Sequence, residues 1–199
     1  MAGDSIHRHA AAKAGRVARR RERVRAALLA AAARQFAARG VNAVSVEELL
    51  AEADVSRATF YAMFTSKFSL LEGLVKPVLE EARAAVEALS DLPPAAAVEG
   101  LVAAYWGLWR SHRDGLLLCG SPDPGVLERF RGEHDALQAA MLDVLARAER
   151  AELLRNGSAH YSLKVIVRAA IPLLLVYEGH PAAEQLFSDA LRGLLLRTH

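Results

Sequence analysis

A chain of 199 residues, 53% of them hydrophobic, holds enough apolar material for one medium domain or for two small ones sharing a core. Its one cysteine, Cys119, excludes an internal disulfide and fits a reducing cytoplasm. The longest purely apolar run near the C-terminus, Ile171 to Tyr177, is too short to cross a bilayer, and the basic N-terminus lacks the apolar stretch of a signal peptide. The formal net charge of +2 is unevenly spread: residues 1–25 carry eight basic and two acidic groups, the rest 17 basic and 21 acidic. Positive charge gathered at one end suits a polyanion. For the first dozen residues a solvated leader and a DNA-contacting arm fit equally well, whereas Arg16 to Arg25 read as facing DNA.

Periodicity is helical along nearly the whole chain, and no alternating run suggests a strand. A basic disordered arm is expected over 1–15. A first helix then starts at Arg16 or Arg23 and runs to Ala38, with Val24, Leu28, Ala32, Gln35 and Phe36 on its inner face and Gly40 as its left-handed cap. Two short helices follow, over about 46–53 and 56–63. Ser45 with Glu48 three residues on forms a capping box, and Ser56 caps the second helix after the turn Ala53-Asp54-Val55. Two helices joined by so short a turn make a helix-turn-helix, whose second helix can lie in the DNA major groove.

Thr65-Ser66 opens a long fourth helix from Lys67 to about Ser90, in which Pro77 predicts a kink or a break. A fifth helix covers about Ala95 to His112. Asp114 to Gly125, rich in Gly, Pro and Asp, reads as a loop or a short helix, and a further helix runs from Val126 to Leu154. The last two helices, about Ser158–Glu178 and Ala182–Arg197, are apolar beyond a single stripe, and Pro172 is expected to bend the first of them. Burial on several sides in a protein of this size points to an interface with a second subunit.

From about Arg23 to Leu74 the chain resembles the tetracycline-repressor (TetR) family of bacterial transcription regulators. The matching elements are Ala33-Arg34-Gln35-Phe36 with Gly40, Ser45-Val46-Glu47-Glu48-Leu49-Leu50-Ala51, Val55-Ser56-Arg57-Ala58-Thr59-Phe60-Tyr61, Phe64 and Ser66-Lys67. The resemblance implies a homodimer joined through the last two helices (about 158–197) and a small ligand in the C-terminal domain that changes the spacing of two DNA-reading heads. It also implies that Ser45 and Tyr61 contact phosphates, that Lys67 meets the DNA backbone, and that Arg57, Ala58 and Thr59 face base edges or flanking phosphates, beside the capping Ser56. These residue types suit those partners: hydroxyls and a lysine for phosphate, Arg57 for guanine, the Thr59 methyl for thymine. Phe36, Leu49, Val55, Phe60 and Phe64 are assigned to packing. Two departures stand out: Asp54 occupies a turn position where the family usually has glycine, and Met63 stands where histidine is common.

No histidine pair, His/Cys cluster, nucleophile elbow, phosphate-cradling loop or paired-carboxylate motif is legible, so no metal, cofactor or enzymatic activity is expected. Cys119 reads as a small buried hydrophobe. For a ligand pocket the candidates are Tyr105, Trp106 and Trp109 on the fifth helix, Phe130, His134, Leu137 and Met141 on the next, and Ile166 and Tyr177 further on. Ordinary core packing is the bland alternative for each of them. The resulting expectation is an all-α, ligand-responsive transcriptional repressor of the cytoplasm. Its helix-turn-helix DNA-binding domain covers 16–67 and its ligand-binding and dimerisation domain 68–199. It would bind a palindromic operator as a homodimer and respond to a small apolar ligand. Its rivals are a ligand-independent DNA-binding protein and a helical enzyme acting on an apolar substrate.

Overall fold

The fold was obtained as a computed structural model that describes residues 2–121 and 123–197, with side chains from Gly15 onward. Among the described residues there are nine α-helices and no strand; the only β feature is an isolated bridge between Leu154 and Leu196. The chain divides into two compact units, residues 1–73 and 74–199.

The first unit contains α1 (Ala2–Arg39), α2 (Val46–Ala53), α3 (Arg57–Tyr61) and the start of α4 (Lys67–Glu87). α1 begins at Ala2, so the backbone is helical where a disordered arm was expected over 1–15. The physical reason is the alanine content of that stretch, five of its fifteen residues, alanine being the strongest helix former. Its Arg8 and Lys13 lie outside the described side chains. Arg16, Arg19, Arg20, Arg21, Arg23 and Arg25 are exposed along α1, and the Arg25 guanidinium also lies over the Phe64 ring, 5.9 Å from its centre. Leu28, Ala32, Phe36, Leu49, Phe60 and Phe64 form the small core, as their spacing predicts.

The second unit contains the rest of α4, α5 (Pro94–Cys119), α6 (Pro124–Arg129), α7 (Arg131–Arg150), α8 (Ala159–Tyr177) and α9 (Ala183–Leu195). α5 is its hub and packs on α7, α8 and α9, while α8 also packs on α7 and α9. Glycine at 115 permits the close approach of α5 to α4: a Cβ there would run into the Leu74 carbonyl oxygen and reach 2.7 Å from Val78 Cγ2.

Two expectations are corrected in this unit and one is narrowed. α4 runs through Pro77 without a break. Residues 114–119 are not loop: α5 continues to Cys119, past a single non-helical residue, His112 (φ −141°, ψ 40°). The run Leu116-Leu117-Leu118-Cys119 can bury its side chains, and that outweighs the turn residues around it. The helix expected over 126–154 is two helices, α6 and α7, separated at Phe130 (φ −115°, ψ 19°). Asp123 caps α6 through hydrogen bonds to its Oδ1 from the Gly125 and Val126 amides.

Among the described helices α8 is long and apolar enough to cross a membrane, by length and composition alone. A third of its apolar stretch is nevertheless buried inside the unit, through Leu163, Ile166, Ala170 and Leu174.

Candidate nucleic-acid interface and interior cavity

The helix-turn-helix is built from caps. The Ser45 hydroxyl oxygen accepts from the Glu48 amide at 3.2 Å, and the Glu48 carboxylate accepts from the Ser45 amide at 2.7 Å, closing the box the sequence announces. Arg39 adds a 2.6 Å ion pair to Glu48. The Ser45 amide first, then Arg39, hold the Glu48 carboxyl down to about 2, so it is ionised across the physiological range. Glu52 is likewise held low by Gln35 and Arg34, which reach it from α1 at 2.5 and 2.7 Å. α2 is thus fastened to α1 by two carboxylates.

The turn then reverses at Asp54 in the left-handed region (φ 52°, ψ 51°), where aspartate substitutes for the usual glycine at modest cost. Ser56 caps α3 by accepting from the Thr59 amide at 3.2 Å, and its hydroxyl also meets the Thr59 hydroxyl at 2.8 Å. Phe60 is fully buried beneath, against Phe64 and edge-on to Tyr61. That anchor leaves Arg57, Ala58 and Thr59 exposed together on the outside of α3, with half of Tyr61 accessible. Arg20 and Arg21 of α1 line a groove with Ser56 and Thr59, setting two guanidinium groups beside α3.

Two of the expected DNA contacts are occupied within the unit itself. Arg57 forms an ion pair with Glu47 of α2, and Lys67 Nζ donates to the carbonyls of Asn42 (3.1 Å) and Val44 (2.7 Å). Lys67 therefore clamps the loop between α1 and α2, a role that sequence spacing does not reveal because its partners are backbone atoms.

Within the second unit lies a cavity of about 100 Å³. Of the pocket residues expected from sequence, Tyr105, His134, Leu137 and Met141 line it. Trp106, Trp109, Phe130, Ile166 and Tyr177 do not. Trp106 stacks on Phe187, Trp109 is core with Arg113 over its ring at 5.0 Å, and Phe130 and Ile166 are about 1% exposed within the packed interior. Tyr177 packs on the hydrophobic core outside the cavity wall.

The wall that the sequence did not reveal is Val78, Leu79, Ala82 and Val86 of α4, with Leu101, Leu108, Leu116 and Cys119 of α5. Nothing local in the sequence of α4 shows that its apolar residues border a void rather than side chains. On α8 the cavity meets Val167 and Ile171, one residue round from the buried Ile166 and Ala170. Burial pushes the Tyr105 hydroxyl and the Cys119 thiol each up to about 12, and Cys119 adds to the shift at Tyr105. Arg113, past the His112 irregularity, pairs with Glu178 at 2.6 and 2.9 Å and draws its carboxyl below the usual range. Among the described residues no group of His, Cys, Asp or Glu could hold a metal ion.

A capped helix-turn-helix with an exposed second helix, followed by an all-helical unit, is an arrangement suited to DNA binding. Residues 28–74 match the sequence model for bacterial regulatory proteins of the tetR family. Over that quarter of its length the chain is similar to the DNA-binding helix-turn-helix of TetR-family regulators. No curated protein matches it in sequence.

Solved structures share the fold over most of its length. The ketosteroid transcriptional regulator KstR2 of Mycobacterium tuberculosis is 19% identical, with a TM-score of 0.67 over 87% of this chain and 95% of that one. SCO3833 of Streptomyces coelicolor A3, a TetR-family member, is 20% identical, with a TM-score of 0.69 over 84% and 88%. A gamma-butyrolactone receptor described as ArpA-like is 20% identical, with a TM-score of 0.55 over 87% and 98%.

Proposed function

We propose that the chain is a cytoplasmic repressor that occupies a palindromic operator as a homodimer and leaves it when a small ligand fills the interior cavity. The observation that carries the DNA half is the exposed cluster Arg57, Ala58, Thr59 and Tyr61 on α3, held over buried Phe60 and flanked by Arg20 and Arg21. In this reading Ser45, Ser56 and Tyr61 meet phosphates. Arg57 exchanges Glu47 for a guanine edge, and Thr59 touches a neighbouring base. Lys67 acts chiefly by shaping the loop before α2, with phosphate contact secondary.

The dimer half rests on apolar surface. Tyr161, Leu175 and Val176 of α8 and Leu194 of α9 are 61%, 45%, 73% and 43% exposed, on the two helices that end the chain. A second copy of the same helix pair, related by a two-fold axis, covers such a face with itself. Two α3 helices would then address half-sites about 34–36 Å apart, or a multiple of that spacing. The cavity favours a ligand-responsive protein over a constitutive DNA binder, because a constitutive binder has no need of a void bounded by four helices. The release step requires that the ligand bind better to the state that misfits DNA.

Selection of bound sequences from random duplex DNA, followed by salt titration on the winner, tests the reading. A palindromic consensus with a steep salt slope is expected; enrichment of no sequence would sink it. Val176→Glu places a charge on the dimer face and is expected to yield monomers by light scattering, with lost operator affinity. Retained dimers would move the interface elsewhere.

A further inference from the structure

The interior cavity has a chemical character as well as a size. Its walls come from α4, α5, α7 and α8, and none of the residues lining it is Asp, Glu, Lys or Arg. The polar groups along it are the Tyr105 hydroxyl, the Cys119 thiol, the His134 ring and the Gln138 amide. Burial keeps tyrosine and cysteine protonated and lowers the His134 imidazole toward its neutral form, against the pull of Asp135 and Glu133. The wall is therefore uncharged at neutral pH. An ionised ligand would leave its hydration behind and find no counter-charge, which is the costliest kind of burial.

His134 supplies the second observation. Its Nε2 is sealed from solvent and has no hydrogen-bond partner. Buried polar atoms are nearly always satisfied, and of the three left without a hydrogen-bond partner among the described residues (Trp106 Nε1, His134 Nε2 and Arg192 Nε) this one alone belongs to a residue lining the cavity. A neutral imidazole has one donor and one acceptor nitrogen, and a single oxygen can meet either. Size limits the rest: a dry cavity of about 150 Å³ takes a benzene ring, so the space here suits roughly one ring.

We propose that the cavity binds a compact, uncharged and largely hydrocarbon molecule of about one ring, whose carbonyl or hydroxyl oxygen hydrogen-bonds Nε2 of His134. The biological meaning rests on the ligand-responsive reading above; the binding chemistry does not.

The test titrates the full-length protein with cyclohexanone, cyclohexanol, methylcyclohexane, cyclohexanecarboxylate and cyclohexylamine. Binding is read from the ¹⁵N resonances of the His134 imidazole and from the melting temperature. The ketone or the alcohol is expected to bind and shift Nε2. An unprotonated Nε2 in the complex requires a hydroxyl as its donor, whereas a protonated Nε2 donates to either oxygen. The carboxylate and the amine are expected to bind at least about a hundredfold more weakly.

His134→Phe should erase the roughly three- to tenfold advantage of the oxygenated probes over methylcyclohexane. His134→Gln keeps a polar atom at this position and should retain part of it. If His134→Phe does not fold, the ranking of probes on the native chain and on His134→Gln decides. Charged probes binding as well as neutral ones, no advantage for oxygen, or no probe binding at all would each overturn the proposal. Operator affinity measured in the same titration separates the two readings. The expected probe ranking with operator affinity unchanged would refute ligand-responsive release by this cavity and leave its binding chemistry standing.

Discussion

The head and the helical unit are held by different physics. In the head, polar contacts do much of the fixing: the Ser45–Glu48 box, Arg39 on Glu48, Arg34 and Gln35 on Glu52, Ser56 on the Thr59 amide and Lys67 on two carbonyls, around a core of a few side chains. In the helical unit the fixing is apolar, by a core running from Val78 to Leu195, with a void left among α4, α5, α7 and α8. A surface that must match DNA needs a rigid α3, and directional bonds over short distances supply that. A unit that accommodates a ligand needs interior space, which dispersed apolar packing can leave open. Damage should therefore be local and polar in the first unit, and volumetric in the second.

Gly115→Ala tests that contrast most severely. The added methyl meets the Leu74 carbonyl, so α4 and α5 must part, and overpacking of this kind costs about 1–3 kcal/mol. Urea unfolding followed by the fluorescence of Trp106 and Trp109, both in the helical unit, should move to lower denaturant. An unchanged midpoint would mean that α4 and α5 are less tightly apposed than described.

Lys67→Met comes next. Loss of a charged hydrogen-bonding group on two backbone carbonyls, one of them part-buried, should destabilise the head by about 1–3 kcal/mol and weaken all DNA binding together. If stability holds and only the salt slope falls, by about one, Lys67 is a phosphate ligand and not a clamp.

Arg57→Ala should relax preference at one or two base positions, by about 1–3 kcal/mol of discrimination, in the selection experiment. An unaltered consensus would leave Arg57 with Glu47 alone. Ser45→Ala removes one side of the capping box and should cost the head about 1 kcal/mol, read as a lower thermal midpoint.

The smallest expected effect concerns pH. The folded Glu48 carboxyl titrates near 2, below its ordinary 4.5, so its support is complete above about pH 4.5 and fades as pH falls toward 2. Glu48→Gln should flatten the acid limb of the stability profile of the head. An unchanged limb would assign the acid sensitivity to Glu52 or Glu178, whose carboxyls are also held low.

Much of the head was legible in the chain, and less of the helical unit. Ser45 with Glu48, Asp54 in a left-handed turn and Ser56 ahead of Thr59 are interactions within three residues, so spacing alone states them. The starts and ends of α2, α8 and α9 were readable within a residue or two for the same reason. Two misreadings came from local signals that wider packing overrode. Turn residues around 114–125 concealed the extension of α5, and continuous periodicity concealed the break at Phe130. Arg25 over Phe64 and Lys67 on the Asn42 and Val44 carbonyls span tens of residues and left no mark in spacing.

By itself, then, the sequence determined an all-helical chain, the helix-turn-helix with its caps, and the likeness of that motif to one family of regulators. Helix periodicity and capping depend on neighbours three or four residues away, and those neighbours are written consecutively. Only the tertiary structure decided which apolar residues close the core and which border a void. Trp106 and Trp109 look no less like pocket residues than Tyr105 does, and Val78 and Ala82 look like ordinary core. What separates them is how α4, α5, α7 and α8 approach one another, a distance fixed at points such as the bare backbone of Gly115.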